Sequence, residues 1–367
     1  MLDADIVSCL EVFYVSECKW TSSHNPKIKC CKKADSSGYC IFHKENKSRE
    51  ENYLFIYLIM KDKISDFRGF IFEDDFIVRD VIKYDYLKLN FDESIFKKKV
   101  FFNKYEFKKN ITFNYTDFRG YVSFESSVFQ ENLEMTRTKF NKKYIANKAF
   151  EKVHFNGQAF VITSVKNLPR LEGIIFSPCT KLVLRYVKYS KKYALYGKIN
   201  YRIARTQANI IGDNERIGYY YYNERNYASK IMKNSDYPKY SAYLNEKFFD
   251  SLSKYTIGYG EKPWRLLVTT IIVISMFAFS YMFCGVKNSS GNIIGLNVNN
   301  INSYSIKDII NIYLDLWYFS TVAFTTLGYG DLAVTTFLGK LLVCIEAFSG
   351  VTIGSTWASL VIKRMIR

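Results

Sequence analysis

Thr325-Thr326-Leu327-Gly328-Tyr329-Gly330-Asp331, near the C-terminus, is the stretch on which the reading of this chain turns. In a Thr-x-Gly-Tyr-Gly run, alternate residues must take left-handed backbone angles for successive carbonyls to turn to one side. Glycine does this freely and other residues resist it. The product is a ladder of carbonyl oxygens, ended by the Thr326 hydroxyl, that can replace the water shell of a bare cation. Such a ladder has meaning only in the right surroundings, and the chain supplies a control. Gly258-Tyr259-Gly260 repeats the triplet, but Glu261-Lys262-Pro263 follows it and no apolar helix leads into it, so it reads as a turn.

The C-terminal copy lies between two apolar segments. The first runs from about Trp264 to Gly285, with no charge between Leu266 and Val286, long enough for a transmembrane helix. The second runs from about Thr336 to Ile362 and contains Lys340 and, deeper, Glu346, which should face protein or pore rather than lipid. Asp315 to Phe324 is short, aromatic and apolar, fit for a half-membrane helix whose C-terminal end favours a cation.

This arrangement resembles the two-transmembrane potassium channels. The resemblance implies four chains around one axis. Thr326, Leu327, Gly328, Tyr329 and Gly330 would bind potassium through their carbonyls, with Thr325, Asp331, Tyr318 and Phe319 supporting the filter. Tyr329 would point away from the ion and brace against Tyr318 and Phe319. Val322 stands where the family pattern is sometimes acidic, which leaves the bracing of Asp331 open. Gly350 lies where these channels carry a hinge glycine, with Gly354 one turn on; bending and close packing both suit glycine there. Val351 and Ala358 are the expected pore-lining positions below, and Glu346 would either bond the back of the pore helix or take part in gating.

Basic residues set the orientation. Lys254, Lys262 and Arg265 precede the first span, and Lys363, Arg364 and Arg367 follow the second. Both ends should therefore lie in the cytoplasm of a multi-pass cell-membrane protein. Met1 to Leu10 carries two acids and no basic side chain, unlike a signal peptide. The net charge of +17 could attract nucleic acid, but lysines beside an anionic inner leaflet explain it without such a partner. Eight cysteines in a reducing compartment do not imply disulfides.

Residues 91 to 160 repeat. Phe96, Phe107, Phe118, Phe129 and Phe140 are spaced by eleven, and Phe91, Phe102, Phe113, Phe124 and Met135 form an interleaved series. After Phe140 the step becomes five, through Ile145, Phe150, Phe155 and Phe160. Ser94, Thr116, Ser127 and Thr138 stand two places before members of the first series, where a small residue fits a corner. Neither a helix nor a strand period produces this pattern, whereas a square coil with one inward side chain per face does. The segment resembles the pentapeptide-repeat proteins, which implies a right-handed quadrilateral β-helix over 66–165, with Phe67 to Leu89 as a degenerate capping coil. A stiff spacer or a partner-binding surface are both open to it.

Cys18, His24, Cys30, Cys31, Cys40 and His43 crowd a segment too polar for its own core. Thiolates and imidazole at short spacing suit a structural zinc, held by Cys18, Cys30, Cys40 and His43, with Cys31 or His24 as possible replacements. A similar segment opens some pentapeptide-repeat proteins. Further on, Tyr193 to Ile211 and Asn214 to Lys233 read as two helices separated by a glycine stop and an aspartate cap at Gly212-Asp213. Tyr219 to Tyr222 give the second an aromatic surface whose partner the pattern does not choose. Phe248, Leu252 and Tyr255 then share a face opposite Lys247, Asp250 and Lys254. That suits a helix lying on the membrane surface or ordinary packing.

The expected organisation is a multidomain α+β membrane protein: 1–65 a Cys/His region, 66–165 the β-helix, 166–262 a helical coupling segment, and 263–367 an all-α two-span pore. The leading reading is a homotetrameric potassium channel, with an unknown cytoplasmic ligand or protein as a further partner. With two spans and no arginine-rich helix, it would be gated from the cytoplasmic side. The alternative is a membrane-anchored scaffold that recruits a partner through the β-helix. No P-loop, nucleotide fingerprint or acid–base pair points to an enzyme.

Overall fold

The computed structural model describes residues 16–83, 87–296 and 304–366, in two compact units, Met1–Lys233 and Asn234–Arg367. The expectations placed on Met1–Leu10 and Arg367 lie outside the described residues.

In the first unit, short parallel strands stack as four ladders, one to each side of a coil. One ladder joins Ile71–Phe72, Ile95–Phe96, Asp117–Phe118 and Lys139–Phe140, and the next joins Phe76–Ile77, Val100–Phe101 and Val122–Ser123. The third holds Glu106–Phe107, Val128–Phe129, Val153–Phe155 and Ile174–Phe176. The fourth holds Leu89–Asn90, Ile111–Thr112, Leu133–Thr136, Ala159–Thr163 and Lys181–Arg185. Phe96 pairs with Phe118 and Phe118 with Phe140, so one turn of the coil takes 22 residues, two periods of the sequence pattern.

That register puts like rings over like. Phe91 stacks on Phe113 at 5.2 Å between centroids, Phe102 on Phe124 at 4.9 Å, and Phe107 on Phe129 at 4.7 Å. These rings are buried, each stabilising the coil by roughly 1.5–3 kcal/mol. The corners recur with the same period. Glu93, Lys104, Tyr115, Ser126 and Arg137, every eleventh residue, all have φ between 53° and 60°. A left-handed non-glycine residue costs about 1–2 kcal/mol, and buried hydroxyls beside these corners work against that cost. Thr116 donates to the Phe91 carbonyl at 2.7 Å and Thr138 to that of Phe113 at 2.8 Å, tying one coil to another. Ser127 instead closes its own corner on Phe124.

Past Phe140 the coil lengthens to 26 residues, as Phe129 pairs with Phe155. The extra residues leave as a short 3₁₀ turn at Lys142–Tyr144, while Ile145, Phe150, Phe155 and Phe160 stay buried. The stack does not end at 165. Ile174–Phe176 and Lys181–Arg185 add further rungs, packed by Leu168, Leu171, Leu182 and Leu184 rather than by phenylalanine.

Helices close both ends of the stack. α1 (Arg49–Lys61) starts at a Ser48–Glu51 capping box and lays Phe55 against Phe72 at 5.3 Å; α2 (Val78–Val81) is a single turn within the first coil. At the other end α3 (Ala194–Ile210) and α4 (Asn214–Ile231) form a hairpin about Gly212, whose φ is +69°. Asp213 makes no side-chain cap, contrary to expectation; its carboxylate takes Arg216 and Lys181 instead. The tyrosine cluster finds its partner in the last coil. Tyr220 donates to the Leu182 carbonyl at 3.0 Å, and Tyr227 accepts from the Tyr189 amide at 3.0 Å.

The second unit consists of α5 (Tyr240–Thr256), α6 (Pro263–Cys284), α7 (Ile306–Phe324) and α8 (Phe337–Ile366). Two stretches, Pro263–Cys284 and Phe337–Lys363, are long and apolar enough to cross a membrane. Gly258-Tyr259-Gly260 is a turn between α5 and α6, as read. Asp250, on the face of α5 opposite Phe248, Leu252 and Tyr255, is buried and takes the Tyr259 hydroxyl at 3.2 Å.

Candidate pore and metal centre

α7 begins nine residues earlier than the aromatic segment suggests, at a capping box made by Ser305 and Asp308. Its back is pinned to α6 and α8. The Trp317 indole donates to Ser275 at 3.2 Å, Ser320 reaches the Ile274 carbonyl at 2.9 Å, and Ser320 also meets the Glu346 carboxyl. Tyr281 of α6 donates to the other oxygen of Glu346 at 2.7 Å. Ser320, Tyr281 and Glu346 are all fully buried, so Glu346 faces protein.

From the end of α7 the chain leaves the helix with Thr325 as its cap. Thr326, Gly328 and Gly330 have φ of 57°, 61° and 79°, so the left-handed angle recurs at every second residue. The angle comes freely to the glycines, but Thr326 adopts it too, its hydroxyl donating to the Thr325 carbonyl at 2.7 Å. Leu327 and Tyr329 are 61% and 67% exposed, and nothing lies within 4 Å of the site of a β-carbon on Gly328 or Gly330. The Thr326 and Leu327 amides bond back to the Ala323 and Val322 carbonyls, and among the described residues Thr326 to Gly330 are otherwise left exposed.

The supporting residues divide. The Tyr318 hydroxyl is close enough to the Asp331 carboxylate to interact with it. Phe319 turns instead to α6, edge-on to Tyr281 at 5.0 Å. Val322 is apolar and buried, so it offers Asp331 no polar partner. A further support had no expectation attached to it. Leu332–Val334, directly after the ladder, pairs with Val286–Asn288, which pairs in turn with Ile293–Ile294. The Ser289 amide also donates to the Asp331 carbonyl at 3.1 Å.

On α8 the two glycines differ. A β-carbon on Gly350 would stand 1.9 Å from the Phe324 carbonyl oxygen, so this glycine exists for close packing against the end of α7. Gly354 has open space around it, and Val351 and Ala358 are exposed.

In the first unit, Cys18, Cys30, Cys40 and His43 bring one ligand atom each within 4.8 Å of one another. Cys30 Sγ lies 3.8 Å from Cys40 Sγ; His43 Nδ1 lies 3.6 Å from Cys18 Sγ and 3.2 Å from Cys40 Sγ. A tetrahedral zinc has edges of roughly 3.5–3.8 Å between such donors, so the observed separations lie within a few tenths of an ångström of what the ion needs. His43 Nε2 is engaged by the Arg68 carbonyl at 3.0 Å, which fixes the tautomer that leaves Nδ1 free to ligate. Trp20 stacks on the imidazole at 4.5 Å. The contact between the two sulfurs holds the Cys30 thiol well below the usual cysteine range, and the same contact together with burial pushes Cys40 up. Cys31 is exposed outside the cluster, and His24 stacks on Tyr115, so neither replacement is brought in.

Residues 295–367 match the family model described as "Ion channel". An 86-residue stretch is 34% identical to Potassium channel K2 of Plasmodium berghei (strain Anka), covering 23% of this chain and 6% of that protein. No solved structure matches the chain. Residues 295–367, which follow the β-solenoid in the chain, are thus similar to an ion-channel family, and the curated relative is a channel.

Proposed function

We propose, from an ion-channel domain fused behind a β-solenoid, that four copies of this chain form a potassium-selective pore. The observation that carries this reading is the recurrence of left-handed backbone at Thr326, Gly328 and Gly330, at the mouth of a helix held between two membrane-long helices. It supports a ladder of carbonyls from Thr326 to Gly330 facing one axis. Bareness of the ladder in one chain supports assembly, because a single strand cannot surround an ion. Thr325, Tyr318 and Asp331 hold the ladder from behind, and Phe319 steadies it at one remove through α6. Both termini lie in the cytoplasm, following the basic residues Lys254, Lys262, Arg265 and Lys363.

Opening involves α8. Gly354, with open space around it, is the place to bend; Gly350 grips α7. The solenoid, built in the pentapeptide-repeat manner, regulates the pore from the cytoplasmic side, through α5 lying on the inner membrane surface with Phe248, Leu252 and Tyr255 towards lipid. Zinc held by Cys18, Cys30, Cys40 and His43 supplies a cross-link to a segment with little core of its own; it carries no chemistry.

Potassium flux through the purified full chain in liposomes, with sodium for comparison, tests the reading. Potassium flux should outrun sodium flux, Gly328→Asp should abolish it, and Tyr329→Val should narrow the difference. Well-inserted protein that passes neither ion with or without residues 1–190 would refute conduction.

A further inference from the structure

The contacts between α7 and α8 form a register with two teeth. Glu346 meets Ser320, and one helical turn further along each helix Gly350 meets Phe324. The first tooth is a hydrogen-bonded node among three helices. Ser320 has one hydroxyl proton and two oxygen neighbours, the Ile274 carbonyl and the Glu346 carboxyl. Tyr281 donates to the remaining oxygen of Glu346. The node therefore sets two hydroxyl donors against residue 346, Ser320 on one oxygen and Tyr281 on the other. The second tooth is steric. The Phe324 carbonyl, at the open end of α7, occupies the space that any β-carbon at 350 would need. Thr326, where the carbonyl ladder starts, is two residues beyond Phe324.

From this we infer that Glu346 is a positioning residue of the ladder. Together with Gly350 it holds α7 in one register on α8, so the shape of Thr325–Asp331 depends on where α8 lies. The inference deepens the channel reading and rests on it for its functional half. A buried acid in an apolar helix is costly, and a charge at that depth ordinarily lines a pore or a proton path. Here all three groups of the node are fully buried and turned towards one another. Movement of the inner helix then reaches the ladder directly rather than only the space below it.

The test compares Glu346→Gln, whose amide oxygen can still accept from Tyr281 and whose amide nitrogen can pair with Ser320 once that hydroxyl turns to the Ile274 carbonyl, with Glu346→Leu, which keeps the volume and supplies neither. Two quantities are read on the full chain in liposomes: amide hydrogen exchange across 316–327, and the ratio of potassium to sodium flux. Glu346→Leu should speed exchange about tenfold and lower the flux ratio by a similar factor, whereas Glu346→Gln should leave both within about twofold. Gly350→Ala should behave like Glu346→Leu; a hinge glycine would change how often the pore opens and leave exchange and selectivity alone. Should Glu346→Leu fail to reach the membrane, Tyr281→Phe and Ser320→Ala each remove one part of the node and should speed exchange severalfold. Unchanged exchange in Glu346→Leu, or in both milder variants, overturns the inference, as does Glu346→Gln proving as damaging as Glu346→Leu. A wild-type chain that carries no potassium removes the channel reading, while the exchange data still decide the grip.

Discussion

The solenoid and the pore use their most telling residues in opposite ways. Phe91, Phe102, Phe113 and Phe124 are completely buried, each satisfied by a ring one coil away in the same chain. Leu327 and Tyr329, which carry as much of the sequence signal, are more than half exposed. A repeated coil needs only its own neighbours, so its pattern explains its stability. Among the described residues the carbonyl ladder has no such partner, and on the proposed reading other copies would supply it. One region is finished by folding, and the other would be finished by assembly.

Damage should therefore part the two regions. The largest effect expected is that of Gly328→Asp, which places a β-carbon and a charge on a left-handed residue of the ladder. Potassium flux should vanish, with the far-ultraviolet melting curve of the solenoid unmoved. Loss of solenoid structure in this variant would break the comparison. Next comes metal removal. A chelator at micromolar zinc should expose residues 16–47 to protease and leave sodium and potassium selectivity unaltered; resistance to protease after complete removal would show that Trp20 and Phe42 packing suffices there.

Phe113→Ala removes a ring stacked between Phe91 above and touching Phe102 and Phe124 beside it. It should cost about 3–5 kcal/mol in denaturant unfolding of the solenoid, with the flux ratio unchanged. Thr138→Val, which keeps shape and loses the bond to the Phe113 carbonyl, should cost about 1–2 kcal/mol by the same measurement. If both variants weaken selectivity before they melt the coil, the regions are not independent.

Legibility followed the same division. The eleven-residue ladder of phenylalanines marks the coil because every turn repeats it, and the shift to steps of five after Phe140 marks the one coil that lengthens. The end of the stack was misplaced because Leu168, Leu171, Leu182 and Leu184 continue the core without the aromatic mark. The left-handed corners at Glu93, Lys104 and Tyr115 were invisible, since nothing about those side chains asks for that angle; the stacked coil imposes it. Around the pore, the Thr326–Gly330 run and the depth of Glu346 were plain in the sequence. The pairing of Leu332–Val334 with Val286–Asn288 was not, because short strands in a polar loop leave no period to read. The start of α7 could have been found from Ser305-x-x-Asp308, a signal weakened by the polar residues that follow.

The smallest effect is expected where cytoplasmic movement would enter the pore domain. Gly258, Tyr259 and Gly260 all have positive φ, and the turn they make sets Gly260 against Leu360 and Lys363 of α8. Lys363 bonds Glu261 at 2.7 Å, and Tyr259 is anchored back on Asp250 of α5. On the proposed reading, a shift of α5 would be passed to the end of α8 through these contacts. Lys363 is 43% exposed, so solvent screens the pair and Lys363→Gln should cost under about 1 kcal/mol in stability. Its effect on opening should be larger than that figure suggests, because opening reads the difference between two states of α8 rather than folding. Single-channel records should show open probability changed by a few fold in Lys363→Gln and in Glu261→Gln alike, with the double variant no further changed than either. Additive effects would mean that the two charges act separately and that the turn does not couple α5 to the inner helix.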